Sequence, residues 1–192
     1  MAAQIIVTDS GRALRARVVV LLLIFGDLLL LLASSIAAFG YTDALNVSGQ
    51  FHAPGDDVPL VPGLLAMLAT LASAAAFYPA ARAAKNRLWS DVARWTRVAL
   101  GAAAVAFGLQ IWFIHSLNLV QPVHAYGSFV MLLTGWHAAQ LALVMILGGI
   151  VLGRAVRGRL AGREYVPVVT GYYWYWVGLS GVVMWAAPVV LR

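Results

Sequence analysis

The sequence contains no cysteine and few charged side chains. Without cysteine the chain has no disulfide, no thiolate metal ligand and no cysteine nucleophile. Charged residues make up 10% of the 192 residues, whereas soluble domains contain about 25%. So few charges could not cover the surface of a water-soluble globule. This excludes a soluble enzyme, a disordered chain and a nucleic-acid-binding domain, and indicates an integral membrane protein.

Long apolar runs take the place of the missing charges. A helix needs roughly 20 apolar residues to cross the hydrocarbon core of a membrane. Five runs are candidates for such spans: Val18–Tyr41, Pro62–Ala81, Val98–Ile114, Ala125–Gly153 and Val166–Val190. The period-two alternation of strands is missing. The sequence therefore predicts an all-α fold, in which residues 1–192 form a single membrane domain with five transmembrane helices.

The basic residues lie almost entirely on one side of these predicted spans. Twelve of the thirteen Lys and Arg residues precede the first span or lie between spans two and three or four and five, and only Arg192 lies on the other side. Cytoplasmic loops carry the excess of Lys and Arg, so we expect the N-terminus inside and the C-terminus outside. The net charge of +6 is then a sign of topology, and no nucleic-acid partner is expected.

Polar residues inside the predicted spans are few, and Asp27 is the most demanding of them. An ionised carboxylate at the centre of a membrane helix costs about 2.5–3.5 kcal/mol, so Asp27 must face the bundle or a subunit contact. It is either a proton-active or lipid-contacting carboxyl, or a neutral hydrogen-bonding strut between helices. Gln110 lies in the third span, and His137 and Gln140 share one face of the fourth. The hydroxyl of Thr134 can bond to the preceding turn.

Histidine is present at four positions, but the pattern does not suit haem or a metal. Only His137 lies well inside a predicted span, whereas His52, His115 and His124 lie in or beside the predicted outside loops. A haem held by two histidines needs both at similar depth in the membrane, and the predicted spans offer only one. A dinuclear metal site would need clustered carboxylates, which are also missing. We expect no redox cofactor bound by this chain and no catalytic residue in it.

A dense aromatic run, Tyr172–Trp176, lies near the predicted cytoplasmic start of span five. Tyr and Trp are enriched where membrane helices meet the lipid headgroups. We therefore interpret Tyr173, Trp174 and Trp176 as lipid-facing or interfacial aromatics. A groove for quinone or lipid is the alternative.

The order of these features resembles subunit III of the haem–copper terminal oxidases (the cytochrome c or quinol oxidase subunit III family), in its short five-helix form. The resemblance covers nearly the whole chain after residue 17. The segments that carry it are Leu23–Leu29 with its acidic residue, Phe77–Ala84, Phe107–Gln110, Tyr126–Phe129 with Leu133–His137, and Tyr173–Val177. Asp27 is similar to the family's buried carboxylate, and Thr134-Gly135-Trp136-His137 to its Thr-Gly-x-His pattern.

The chain also departs from the family at four positions. Gln140 stands where a second histidine is common in the fourth helix, and Tyr175 replaces the usual histidine of the last helix. Gly178 replaces an acidic residue, and Phe113 replaces a glutamate of the third helix. These four replacements indicate a divergent branch of the family that the chain resembles.

The resemblance implies an accessory role in a respiratory complex of the bacterial inner (cytoplasmic) membrane. Subunit III binds no redox metal, and haem and copper lie in partner subunits. It packs mainly against subunit I, with subunit II as a further partner, holds phospholipid, and supports proton uptake during oxygen reduction. The small-residue stretches Ala72–Ala76, Gly101–Ala104 and Gly148-Gly149 are candidate contact faces, within the bundle or with subunit I.

Two other functions stay open. The related accessory protein of nitric oxide reductase shares the five-helix pattern, and the missing histidines and glutamate are compatible with it. An unrelated small transporter or haem-binding membrane anchor is the other alternative. A transporter typically has inverted repeats or broken helices, and neither is evident in the sequence.

Overall fold

The computed structural model describes residues 2–45, 58–117 and 125–190, and every regular element within those ranges is an α-helix. In chain order the helices are α1 Ala2–Leu45, α2 Leu60–Lys85, α3 Trp89–Ser116, α4 Ala125–Val156 and α5 Tyr165–Val190. Each predicted span lies inside one of these helices. The predicted all-α fold is therefore confirmed for the described ranges.

Three of these helices are long and apolar enough to cross a membrane, namely α2, α3 and the Tyr126–Val156 part of α4. The five spans expected from the sequence are therefore matched by three within the ranges that the structure describes.

The basic residues that the sequence placed between spans lie largely on helix ends. The helix α3 begins at Trp89 rather than Val98 and carries Arg94 and Arg97 in its first turns. Arg82 and Lys85 lie in the last turn of α2, where positive charge is favourable beside the free carbonyl groups of the helix end.

The turns that follow α2 and α4 have the same hydrogen-bonded geometry. After each helix, two successive N–H groups return to carbonyl oxygens of the last turn, which is the Schellman pattern. One residue in each turn adopts the left-handed backbone conformation. It is Arg87 after α2, with φ 58°, and Gly158 after α4, with φ 64°. Arg87 also forms an ion pair with Glu164, Nε to Oε1 at 3.1 Å. This pair links the turn after α2 to the turn before α5.

The core of the bundle is built around the indole of Trp174 on α5, which is buried. Its ring stacks on Phe77 of α2, with centroids 4.2 Å apart and an interplanar angle of 16°. Its N–H donates to Ser73 Oγ at 2.8 Å, and the Ser73 hydroxyl donates to the carbonyl of Ala99 on α3 at 3.2 Å. On α4, Gly148 faces the ring, because a Cβ there would lie 2.7 Å from it. Four helices thus meet at one side chain.

The helix α1 packs on one side of this core, against α4 and α5. Its buried residues Val20, Asp27 and Leu31, with the partly buried Ile24, recur at helical spacing and form one stripe. The opposite face is apolar and exposed, with residues such as Leu21, Leu22 and Phe25. Asp27 therefore lies in the middle of the stripe by which α1 attaches to the bundle.

The neighbouring glycines Gly148 and Gly149 provide a matched test of this core. A methyl group at Gly148 would overlap Trp174, whereas one at Gly149 meets nothing within 4 Å. We expect Gly148→Ala to lower the free energy of unfolding by about 1–3 kcal/mol, as overpacking typically does. Gly149→Ala should leave it unchanged or raise it, because alanine favours helix. Reversible unfolding in mixed detergent measures both, and equal stabilities of the two variants would contradict the packing described.

Candidate functional site

The carboxylate of Asp27 is the centre of a buried polar network between three helices. Its Oδ2 atom accepts hydrogen bonds from Gln140 Nε2 at 3.1 Å, from Trp176 Nε1 at 3.1 Å and from Tyr173 OH at 3.4 Å. Gln140 lies on α4, and both aromatic residues lie on α5. All three groups donate, which is the arrangement that satisfies a buried carboxylate oxygen.

Gln140 extends the network away from Asp27 along the face that it shares with His137. While its nitrogen donates to Asp27, its Oε1 lies 3.2 Å from His137 Nδ1 and accepts from Ser180 Oγ at 2.9 Å. The Ser180 hydroxyl is also 3.0 Å from the carbonyl of Val177. Asp27 and His137 are therefore joined through Gln140, which contacts both.

Gln110 and Thr134 form a second polar contact, between α3 and α4. Gln110 Nε2 donates to the carbonyl of Thr134 at 3.0 Å. The Thr134 hydroxyl bonds to the carbonyl of Val130, one turn earlier, at 2.8 Å, as expected from the sequence. All five polar residues singled out in the spans, Asp27, Gln110, Thr134, His137 and Gln140, are buried. The structure places Asp27, Gln140 and His137 in one hydrogen-bonded group and Gln110 with Thr134 in another. Residues of both groups line one cavity.

Between the two contacts lies a small cavity of about 10 Å³, whose lining includes Gln110, Thr134, His137, Gly181 and Trp185. Two buried nitrogen atoms of this lining, His137 Nε2 and Trp185 Nε1, have no hydrogen-bond partner among the described residues. The absence of a side chain at Gly181 keeps this space open, because a Cβ there would lie 3.1 Å from His137 Nε2.

The interpretation of the aromatic run as an interfacial belt is wrong for Tyr173 and Trp174. Both are buried in the bundle, at 3% and 2% exposure, while Tyr172 is 43% exposed. Trp176 is partly buried, and its N–H donates to Asp27 rather than to a lipid headgroup. The physical reason is that α5 has neighbouring helices on more than one side. Successive residues of a helix point about 100° apart, so Tyr173 reaches Asp27 of α1 while Trp174 stacks on Phe77 of α2.

Sequence reasoning missed Trp185 as a cavity residue, and the inward roles of Tyr173 and Trp176. A signal for the latter was available, because Tyr173, Trp176 and Ser180 recur at spacings of three and four, which puts them on one helix face. Trp185 is one of seven tryptophans and offers no local signal. Only the position of α5 against α4 brings it to His137.

The network suits binding and proton holding more than bond-breaking chemistry. It combines one carboxylate, one imidazole and several neutral donors. Within the ranges that the structure describes, no three His, Cys, Asp or Glu side chains come together as metal ligands. The hydrogen bonds instead hold the side chains of Gln140, Tyr173 and Trp176 in the conformations in which they reach Asp27.

No known family model matches this chain, and no curated protein sequence matches it. The resemblance to oxidase subunit III therefore stays a prediction.

The hydrogen bond from Trp176 to Asp27 can be tested by a double-mutant cycle. Trp176→Phe removes the N–H donor and leaves a smaller aromatic ring. We expect it to lower the free energy of unfolding by about 0.6–1.7 kcal/mol, the range for hydrogen bonds between membrane helices. In the Asp27→Leu background, where the acceptor is gone, the same change should have much less effect. Detergent unfolding of the four proteins measures the coupling.

The exposed Trp112 of α3 provides the control for this cycle. Trp112→Phe should have the same small effect with and without Asp27. If Trp176→Phe lost equal stability in both backgrounds, the indole would contribute by packing alone, and the hydrogen bond would have no measurable part.

Proposed function

We propose that this chain is an accessory subunit of a bacterial haem–copper oxidase, the subunit III type, embedded in the inner membrane and without an active site of its own. The observation that carries the proposal is the network at Asp27. The residue that the resemblance matches to the family's buried carboxylate receives its hydrogen bonds from the two helices that hold the other best-matching segments.

The departures from the family bear on this network in a specific way. Gln140, where a second histidine is common, uses both ends of its amide: the nitrogen donates to Asp27 and the oxygen accepts from Ser180. A glutamine cannot change its protonation at these positions. The proposed subunit therefore keeps the carboxylate and the connection between helices, with fewer titratable groups around them.

The outward surface supports a place among lipids and partner subunits. Large apolar side chains are exposed along α1, α3 and α4, including Leu22, Val105 and Ile146. A water-soluble chain rarely exposes contiguous apolar surface of this kind. We propose that α1 and α5 cross the membrane with the other three helices, that phospholipid covers part of this surface, and that subunit I covers another part.

The accessory protein of nitric oxide reductase is the second candidate, and the residue that favours it is Phe113. It stands where the oxidase family often has glutamate, and it is buried in an apolar cluster with Val58, Tyr126 and Val130. No carboxyl group lies at that position to serve proton uptake.

Co-purification from the native membrane tests the proposed function. The tagged chain is extracted in mild detergent, and the optical spectrum and gas consumption of the eluate are recorded. We expect a haem of a or o type together with oxygen consumption. A haem-containing complex that reduces nitric oxide would support the second candidate. A colourless chain without partners, under conditions that keep other respiratory complexes intact, would contradict both.

The proposed orientation is testable because the chain has no cysteine of its own. Asn86→Cys and Ala161→Cys introduce exposed thiols in the turns after α2 and α4, and His115→Cys introduces one near the end of α3. We expect a membrane-impermeant maleimide to label the first two only from the cytoplasmic side. The third should be labelled only from outside, since α3 crosses the membrane. Labelling of Asn86→Cys in intact spheroplasts would overturn the orientation.

A further inference from the structure

We infer that the cavity lined by residues of α2, α3, α4 and α5 is a binding site for one water molecule, held between His137 Nε2 and Trp185 Nε1. The inference stands independently of the proposed function, because it rests only on the hydrogen bonds of Gln140 and on the lining of the cavity. It starts from the direction of the Gln140 amide.

The hydrogen bonds of Gln140 fix which nitrogen of His137 carries the proton. Because the Gln140 nitrogen donates to the Asp27 carboxylate, the amide oxygen is the end that faces His137. An amide oxygen can only accept, so the His137 nitrogen 3.2 Å away, Nδ1, must be the donor. In the neutral ring Nε2 is then a bare acceptor.

The cavity places a complementary pair of groups around one space. His137 Nε2 needs a donor, and Trp185 Nε1–H needs an acceptor; each is buried with no partner among the described residues. Both residues line the same cavity. A molecule that donates one hydrogen bond and accepts another satisfies both groups at once. Leaving either buried group unpaired is unfavourable, because it has lost its hydrogen bonds to water without a replacement.

The size of the cavity selects water among such molecules. Its volume of about 10 Å³ is at the lower limit for one ordered water, and a buried water needs two to four polar partners. The two nitrogens supply two partners, and Gln110 and Thr134 add polar groups to the lining. An alcohol or a lipid headgroup is larger than the space available.

The pattern of small residues preserves this space. Gly181 lies one helical turn from Trp185 on α5, and a Cβ on it would lie 3.1 Å from both His137 Nε2 and His137 Cε1. A methyl group would thus occupy the approach to the imidazole that the water uses. By contrast Gly135 on α4 is exposed, with nothing within 4 Å of its Cβ position.

Solid-state NMR of the full chain in lipid bilayers, with ¹⁵N-labelled histidine, tests the site. The His137 signals are those absent from His137→Gln. We expect Nδ1 protonated, Nε2 unprotonated, and magnetisation transfer from water to the His137 ring. A ring protonated on Nε2, a doubly protonated ring, or no transfer from water would each overturn the inference.

Two pairs of variants separate bound water from a general opening of the bundle. We expect the transfer from water to His137 to be lost in Gly181→Ala and retained in Gly135→Ala. It should weaken in Trp185→Phe, which removes the N–H donor and leaves a smaller aromatic ring. It should persist in Trp136→Phe, the same change on the exposed face of α4. If the cavity variants and their controls gave the same transfer, water would reach His137 by another route and the site as proposed would be wrong.

Discussion

The attachment of α1 to the bundle depends on a single oxygen atom. Asp27 Oδ2 accepts from three donors on two other helices, and Asp27 is the buried polar residue of the α1 stripe that otherwise holds Val20 and Leu31. In the membrane setting proposed for α1, apolar side chains pack against lipid nearly as well as against another helix, so Val20 and Leu31 alone would not fix how far α1 slides or turns. A carboxylate that must meet its donors fixes both. Polar groups in apolar interfaces serve this purpose in other helical assemblies.

The consequences of that carboxylate extend across the bundle through the Gln140 amide. One end of the amide is committed to Asp27, which commits the other end to Ser180 and His137. The ring of His137 then presents its free nitrogen to the cavity beside Trp185. Asp27 thus determines the orientation of the Gln140 amide, and that amide determines which nitrogen of His137 faces the cavity. The hydrogen bond between Asp27 and Gln140 therefore determines whether His137 presents a donor or an acceptor to the cavity.

The sequence predicted the helices and their buried polar residues well, because both follow from local properties. Apolar runs of sufficient length indicate helices, and Asp27 or His137 in such a run must find a partner or a polar environment. The partners themselves were not predictable. The contact between Gln140 and Asp27 joins residues 113 positions apart, and it depends on how α1 is rotated against α4. Local composition was misleading at Tyr173 and Trp174, since a dense aromatic run at a predicted boundary is typical of a lipid interface, and only the packing of α5 turns these rings inward.

The close approach of α2 and α5 at Gly178 restricts which sequences this bundle can accept. A Cβ on Gly178 would lie 2.9 Å from the Cβ of Ala74, so Gly178 cannot gain a side chain while Ala74 and the distance between the helices stay as they are. A side chain at position 178 would require a smaller residue at position 74 or a wider separation of α2 and α5. The absence of a side chain at Gly178 therefore sets how closely these two helices can approach.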